Sequence, residues 1–267
     1  MSDRILFLGF CWGAAGTTWL ARLLNSHEDV FCQHAPIFPR YDHFRLTEAM
    51  EIIDVVLNEQ AFGGAYPVVG FTHGIASEWY EALREKYGQR LRCFGLTRHP
   101  IPRIQSTLDL NVETKARRTS DPTWQRAFAE TYDMLRRLSN KDFPDDFESL
   151  AFYKACGMVN SIIWERERDF PLFRLEDLVS QEPVVQQLLS HVSDGTCQLA
   201  ATRVQRMQQT VVRRHARRAS TVAEIYASWQ AHHREAFHYL VAAPSLAEYC
   251  QLGYELPAAA LTGGAAV

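Results

Sequence analysis

Residues Arg4 to Gly9 (RILFLG) form a short apolar run that ends on glycine. A strand with one wet face alternates apolar and polar residues. An unbroken apolar run instead suits a strand buried on both faces of a parallel sheet. Phe10 to Ala15 is a short connecting loop, and Thr17 to Ser26 then places Leu20, Leu23 and Leu24 on one helical face. Strand, loop and helix in this order admit few architectures, and an α/β sheet is the first of them.

The same order recurs downstream. Tyr66 to Thr72 (YPVVGFT) reads as a second strand, and Ser77 to Tyr87 as a helix capped by Ser77. Arg90 to Leu96 (RLRCFGL) reads as a third strand, after which Pro100 or Ile101 opens a helix running through Leu110. From Asp121 onward the pattern is mostly helical: Trp124 to Leu138, Leu150 to Arg168, and the remainder through Glu255. Phe170 to Arg174 (FPLFR) is read as one more core strand. The expected fold is α/β, a P-loop-like central parallel sheet flanked by helices, with a mostly helical C-terminal half. Residues 1–257 are expected to form a single domain, and 258–267 a small-residue tail without structure.

Composition narrows the function. The chain has 267 residues, 47% of them hydrophobic, enough for one large core. Its net charge of −3 argues against a general nucleic-acid binder, which carries a basic excess. Only Lys86, Lys115, Lys141 and Lys154 are lysines, so arginine dominates any anion recognition. The cysteines at 11, 32, 93, 156, 197 and 250 form no CxxC pair, so no zinc or thioredoxin-like spacing is present. Reduced, mostly buried thiols in a cytoplasmic protein are expected. Asp3 and Arg4 leave almost no positive region before Ile5 to Ala15, so a buried strand and loop is expected there rather than a signal-peptide core, and no apolar run is long enough to span a membrane.

Two segments carry candidate chemistry. Gly13-Ala14-Ala15-Gly16-Thr17-Thr18 lies between the first strand and its helix. Small residues let a ligand approach the backbone, and the amides and dipole of a helix start favour an anion. Pattern alone leaves an anion site and a tight strand-to-helix turn both open. The loop lacks the Gly-Lys-Ser/Thr ending of an ATP or GTP P-loop, which disfavours a nucleotide triphosphatase. The second segment is Thr97-Arg98-His99-Pro100, with Ser106 two helical turns further on. An arginine and a hydroxyl converging at the C-terminal edge of a parallel sheet suit a phosphate.

With these motifs in order, the chain resembles the sulfotransferase superfamily that uses 3′-phosphoadenosine 5′-phosphosulfate (PAPS). Gly16-Thr17-Thr18-Trp19-Leu20 resembles its 5′-phosphosulfate loop and helix. Arg98-His99-Pro100 through Ser106 resembles its 3′-phosphate motif, where the arginine precedes Asn/Asp-Pro. Phe173-Arg174-Leu175-Glu176-Asp177-Leu178 resembles its Arg-Tyr-Glu-Asp-Leu segment, and Trp229 to Tyr254 its last helices. The resemblance implies that Gly13, Ala14, Ala15, Gly16, Thr17 and Thr18 hold the 5′-phosphosulfate, with Trp19 near the adenine. It implies that Arg98 and Ser106 hold the 3′-phosphate, and that a basic segment with Arg213, Arg214, Arg217 and Arg218 closes over it.

Sulfuryl transfer needs an in-line acceptor, a base for its proton, and charge stabilisation on the leaving phosphate, and this scheme requires no metal. His73, in Phe71-Thr72-His73, resembles the histidine of the family's Lys-Thr-His segment and is the first choice of base. His34, after His27-Glu28-Asp29-Val30, is the second; heparan-type members carry a catalytic glutamate there. Ala14 and Ala15 stand where the family carries Lys or Arg, so Arg103, His34 or a C-terminal arginine must supply that charge, or transfer is weak.

The expected function is therefore transfer of a sulfuryl group from PAPS to a hydroxyl or amine of a small molecule. His34, Pro36, Phe38, Tyr41, His43, Phe44 and Trp79 fall in segments expected to line the acceptor pocket. A small-molecule acceptor is the expected partner, without nucleic acid or membrane, and self-association as a homodimer is left open. A nucleotide-binding protein with weak transfer and a P-loop-like small-molecule kinase are the alternatives.

Overall fold

The computed structural model describes residues 4–11, 14–34, 47, 50–51, 53–55, 66–72, 79–210 and 221–262. The chain divides into two compact units. A sheet unit comprises Met1–Cys11, Ala15–Thr97 and Asp169–Val212; a helical unit comprises Trp12–Ala14, Arg98–Arg168 and Arg213–Val267.

The sheet unit holds five strands: β1 (Ile5–Phe10), β2 (Val30–His34), β3 (Val68–Thr72), β4 (Leu91–Thr97) and β5 (Leu172–Arg174). Their order is β2-β3-β1-β4-β5, and every pairing is parallel. This is the α/β architecture expected from the sequence. Leu6, Phe7 and Leu8 of β1 are fully buried, which is why their run shows no alternation. Each such side chain stabilises the fold by roughly 1.5–3 kcal/mol. Helix α1 (Thr17–Leu24) follows β1, with Trp19, Leu20, Leu23 and Leu24 buried in the core. Gly70 marks the tightest strand contact: a Cβ there would lie 2.2 Å from the Phe7 carbonyl oxygen.

Register brings particular residues to the C-terminal edge of the sheet. Gly9 pairs with Thr72, Thr72 with His34, and Thr97 with Arg174. β1 leads on to β2 on one side of the sheet, and β4 leads on to β5 on the other. Open parallel sheets bind ligands at this edge, where the strand order reverses.

Strand β2 has no counterpart among the strands expected from the sequence. Its residues, VFCQH, form a short run that turns polar, as an edge strand permits. Helix α2 (Tyr80–Tyr87) begins three residues after Ser77, and Ser77 itself lies outside the described residues. The thiols of Cys32 and Cys93 are buried, and burial pushes both up to about 12, so they are inert at neutral pH. All six cysteines are free, and only Cys250 is exposed.

In the helical unit, α3 (Pro100–Glu113), α4 (Lys115–Thr119), α5 (Pro122–Ser139), α6 (Phe147–Met158) and α7 (Ser161–Arg166) come first. The single helix expected over 150–168 is two. Asn160 stands at the break, its amide nitrogen donating to the Leu240 carbonyl (2.8 Å) and its oxygen accepting from the Ala242 N–H (3.0 Å). The sheet unit adds α8 (Leu175–Leu178), α9 (Glu182–Ser193) and α10 (Ala201–Gln209). The helical unit closes with α11 (Val222–Ser228), α12 (Ala231–Leu240), α13 (Ala243–Gln251) and α14 (Ala258–Thr262). That last helix corrects the expectation of a structureless tail from 258. Ala260 is buried, and the Ala259 carbonyl accepts from the Tyr226 hydroxyl at 3.2 Å, so small residues here serve close packing. Residues 263–267 lie outside the described residues. No helix among the described residues is long and apolar enough to cross a membrane.

Candidate functional site

Helix α1 opens in an unusual way. Gly16 adopts φ 88°, ψ 18°, a left-handed conformation, and no side chain caps the first turn. The left-handed φ favours glycine, and a Cβ at Gly16 would also lie 2.6 Å from a Leu175 methyl, which would have to shift. The uncapped amides and the helix dipole make this start attractive to an anion. Thr17 and Thr18 add hydroxyls, and both face one imidazole. His34 Nε2 lies 2.9 Å from Thr17 Oγ1 and 3.3 Å from Thr18 Oγ1. Sheet register explains the meeting, since it carries His34 to the strand edge beside Thr72. The cluster therefore combines two hydroxyls with an imidazole.

Trp19 behaves differently from its neighbours. It is 8% exposed, packs in the core, and donates its indole N–H to the Met207 carbonyl at 2.9 Å. That bond ties α1 to the end of α10.

The second cluster lies in the helical unit. Arg98 donates to Ser106 Oγ at 2.9 Å and to the Ala14 carbonyl at 3.1 Å. Ala14 is held at φ 32°, a conformation that costs a non-glycine residue of order 1–3 kcal/mol. His99 explains why α3 starts where it does. Its Nδ1 accepts the Ile101 N–H at 3.3 Å, the capping task that Asn or Asp performs elsewhere. Its Nε2 donates to the Glu255 carbonyl at 3.0 Å, and its ring packs edge-on against Tyr254 at 5.4 Å. The Leu252-Gly253-Tyr254 segment thus braces the start of the helix that carries Ser106.

Arg103 is committed to the protein interior. It is 1% exposed and donates to the Tyr249 hydroxyl at 3.0 Å; that hydroxyl donates to the Val159 carbonyl at 3.2 Å. Glu165 is equally buried, accepts from Ser161 at 3.0 Å and feels the positive field of Arg103. Desolvation outweighs that field and pushes its carboxyl up to about 7. Sequence reasoning missed this pair because nothing in the spacing of Arg103, Glu165 and Tyr249 signals their approach.

The expected acceptor-lining residues Pro36, Phe38, Tyr41, His43 and Phe44 lie outside the described residues, as do Gly13, His73, Arg213, Arg214, Arg217 and Arg218. Trp79 is described and is half-buried. In the sheet unit, Phe10 stacks on Phe170 at 5.6 Å, and Tyr80 meets both rings edge-on at 5.7 Å. No sequence pattern marks this aromatic trio at the end of β1, because its members come from three distant segments.

Comparison with known proteins places the fold. The crystal structure of a sulfotransferase from Alicyclobacillus acidocaldarius superposes with a TM-score of 0.51 at 14% identity, covering 97% of this chain and 99% of that one. No protein-family model matches the chain, and no curated protein matches it.

Proposed function

We propose that this chain is a PAPS-dependent sulfotransferase acting on a hydroxyl or amine of a small molecule. The observation that carries the reading is the Arg98 guanidinium, whose Nη1 donates both to Ser106 Oγ and to the Ala14 carbonyl. It joins two separate sequence motifs, the loop of residues 13–18 and the Arg-His-Pro segment. Gly13, Ala14, Ala15, Gly16, Thr17 and Thr18 are assigned to the 5′-phosphosulfate, and Arg98 and Ser106 to the 3′-phosphate. Arg217 and Arg218 are assigned to closing over that phosphate. Trp19 is assigned to bracing α1 beside the nucleotide, through its bond to Met207.

The acceptor oxygen or nitrogen attacks sulfur, the bond from sulfur to the bridging oxygen breaks, and the electron pair stays on the phosphate. His73 is assigned to take the acceptor's proton. The loop has no lysine or arginine of its own to neutralise the charge left behind. Of the three groups that could supply it, Arg103 is committed to the core of the helical unit. His34, already against both loop hydroxyls, is assigned this task as the imidazolium. The Ala14-Ala15 pair also favours a second reading, a nucleotide binder with weak transfer.

Calorimetric titration tests the assignment. 3′-Phosphoadenosine 5′-phosphate is expected to bind, and Arg98→Ala to weaken it about 100-fold, roughly 3 kcal/mol for a charged hydrogen-bonding group. Binding of ATP without preference for a 3′-phosphate would overturn the reading. Binding without sulfation of any acceptor in a broad panel would favour the second.

A further inference from the structure

The turn between α1 and β2 meets the connector between α9 and α10, and three side chains of different donor chemistry converge there. They are the imidazole of His27, the carboxylate of Asp29 and the thiol of Cys197, their donor atoms all within 4.8 Å of one another. No other such group occurs among the described residues. All three belong to the sheet unit.

Both walls are held largely by neighbouring residues. On one side the Asn25 amide spans the turn, donating to the Cys32 carbonyl at 2.6 Å and accepting the Cys32 N–H at 2.7 Å. On the other side Ser193 Oγ accepts the Cys197 N–H at 3.0 Å, fixing the backbone that presents the thiol. Arg203 joins the walls by donating to the Ser26 carbonyl at 2.6 Å. The Asp29 N–H donates to His27 Nδ1 at 3.1 Å, which orients the ring.

The burial gradient also matters. Cys197 is 1% exposed and packs in the core cluster, while Asp29 is exposed. An ion entering from solvent would meet the carboxylate first and the thiol last. One sulfur, one nitrogen and one oxygen donor suit a borderline-soft divalent cation, and not calcium or magnesium, which take oxygen ligands. In a tetrahedral zinc site of bonds near 2.0–2.3 Å, neighbouring donors lie about 3.5 Å apart. The three donor atoms, within 4.8 Å of one another, would be drawn to that spacing by the ion.

We propose that His27, Asp29 and Cys197 form a site for a zinc-class divalent cation, with water as the fourth ligand. The cation would fasten the α1–β2 turn to the α9–α10 connector and take no part in group transfer. Coordination of the ring exchanges the Asp29 N–H bond to Nδ1 for a metal bond, and the thiol gives up its proton to become the thiolate ligand.

Cobalt(II), added to the full chain after chelator treatment under reducing conditions, is the probe. One equivalent is expected to give a thiolate-to-cobalt charge-transfer band in the near ultraviolet, and zinc to displace it. Cys197→Ser is expected to abolish the band. His27→Ala and Asp29→Asn, with circular dichroism unchanged, are expected to weaken zinc binding about tenfold or more. No band in the unmodified chain, or a band that survives in Cys197→Ser, overturns the site. If Cys197→Ser does not fold, the exposed Asp29→Asn decides: unchanged zinc affinity overturns the three-donor site.

Discussion

In the sheet unit the Thr17, Thr18 and His34 cluster gathers at the sheet edge, and burial holds the thiols of Cys32 and Cys93 neutral. In the helical unit Arg103, Glu165 and His233 are all buried. His233 stacks on Phe152 at 4.2 Å, and burial pushes its imidazole down to about 4. Each unit also contributes one candidate anion cluster, and these differ in kind. Arg98 is a permanent cation already engaged by Ser106, whereas His34 carries charge only when protonated. A permanent charge suits binding, and a titratable one suits a step in which charge develops. The expected division is that the sheet unit's cluster acts on turnover, while pH acts on stability through the helical unit.

The largest test of that division is His34→Ala. Loss of a group acting on the developing charge is expected to lower turnover about 1000-fold. Affinity for 3′-phosphoadenosine 5′-phosphate should change less than about tenfold, the reverse of the pattern expected for Arg98→Ala. Steady-state kinetics beside calorimetry reads the split, and equal losses in both would erase the distinction.

Next in size is Glu165→Gln. The folded carboxyl titrates near 7 against an ordinary 4.5, so between those values the folded chain holds a proton that the unfolded chain has released. Stability from this group is full below pH 4.5, falls as pH rises, and is level above 7. The amide does not titrate. The variant should therefore match the parent near pH 4.5 and exceed it by roughly 3 kcal/mol at pH 8 in urea unfolding. His233 acts in the opposite sense: its depressed imidazole makes stability rise from about pH 4 to 6.5. An advantage for Glu165→Gln that is equal at about pH 5 and about pH 8 would show that the carboxyl does not titrate in this window.

The smallest effect is expected at Gly16. Gly16→Ala places a side chain at φ 88° and against Leu175, and should cost about 2 kcal/mol, lowering Tm by several degrees. A scanning thermal melt checks it. An unchanged Tm would mean that the helix start can relax, and with it the cluster of Thr17, Thr18 and His34.

Much of the sheet was legible because buried parallel strands announce themselves as apolar runs, as in Ile5–Phe10 and Leu91–Thr97. The edge strand Val30–His34 was not, since an edge tolerates the polar residues Gln33 and His34. Arg98 and Ser106 were legible because helical periodicity fixes their spacing. The approach of His34 to Thr17 and Thr18 was not, because it depends on register between strands rather than on local sequence. His27, Asp29 and Cys197 were invisible for a related reason: metal sites show in sequence only when their ligands are close together along the chain. His99 is visible as part of the Arg-His-Pro motif, but its bracing role depends on Glu255, far away in the chain.

That last contact has a consequence for synthesis. A chain emerging from the ribosome folds from its N-terminus while it is still being made, at about 5–20 residues per second. Arg98 and Ser106 emerge well before Glu255, and the imidazole between Arg98 and Pro100 gains its second bond only when Glu255 appears. The ring contact with Tyr254 waits equally long. Two chemically distinct anchors for the same corner of the helical unit thus form only after about 150 further residues have been made, and a nascent chain halted before Tyr254 carries His99 without its brace.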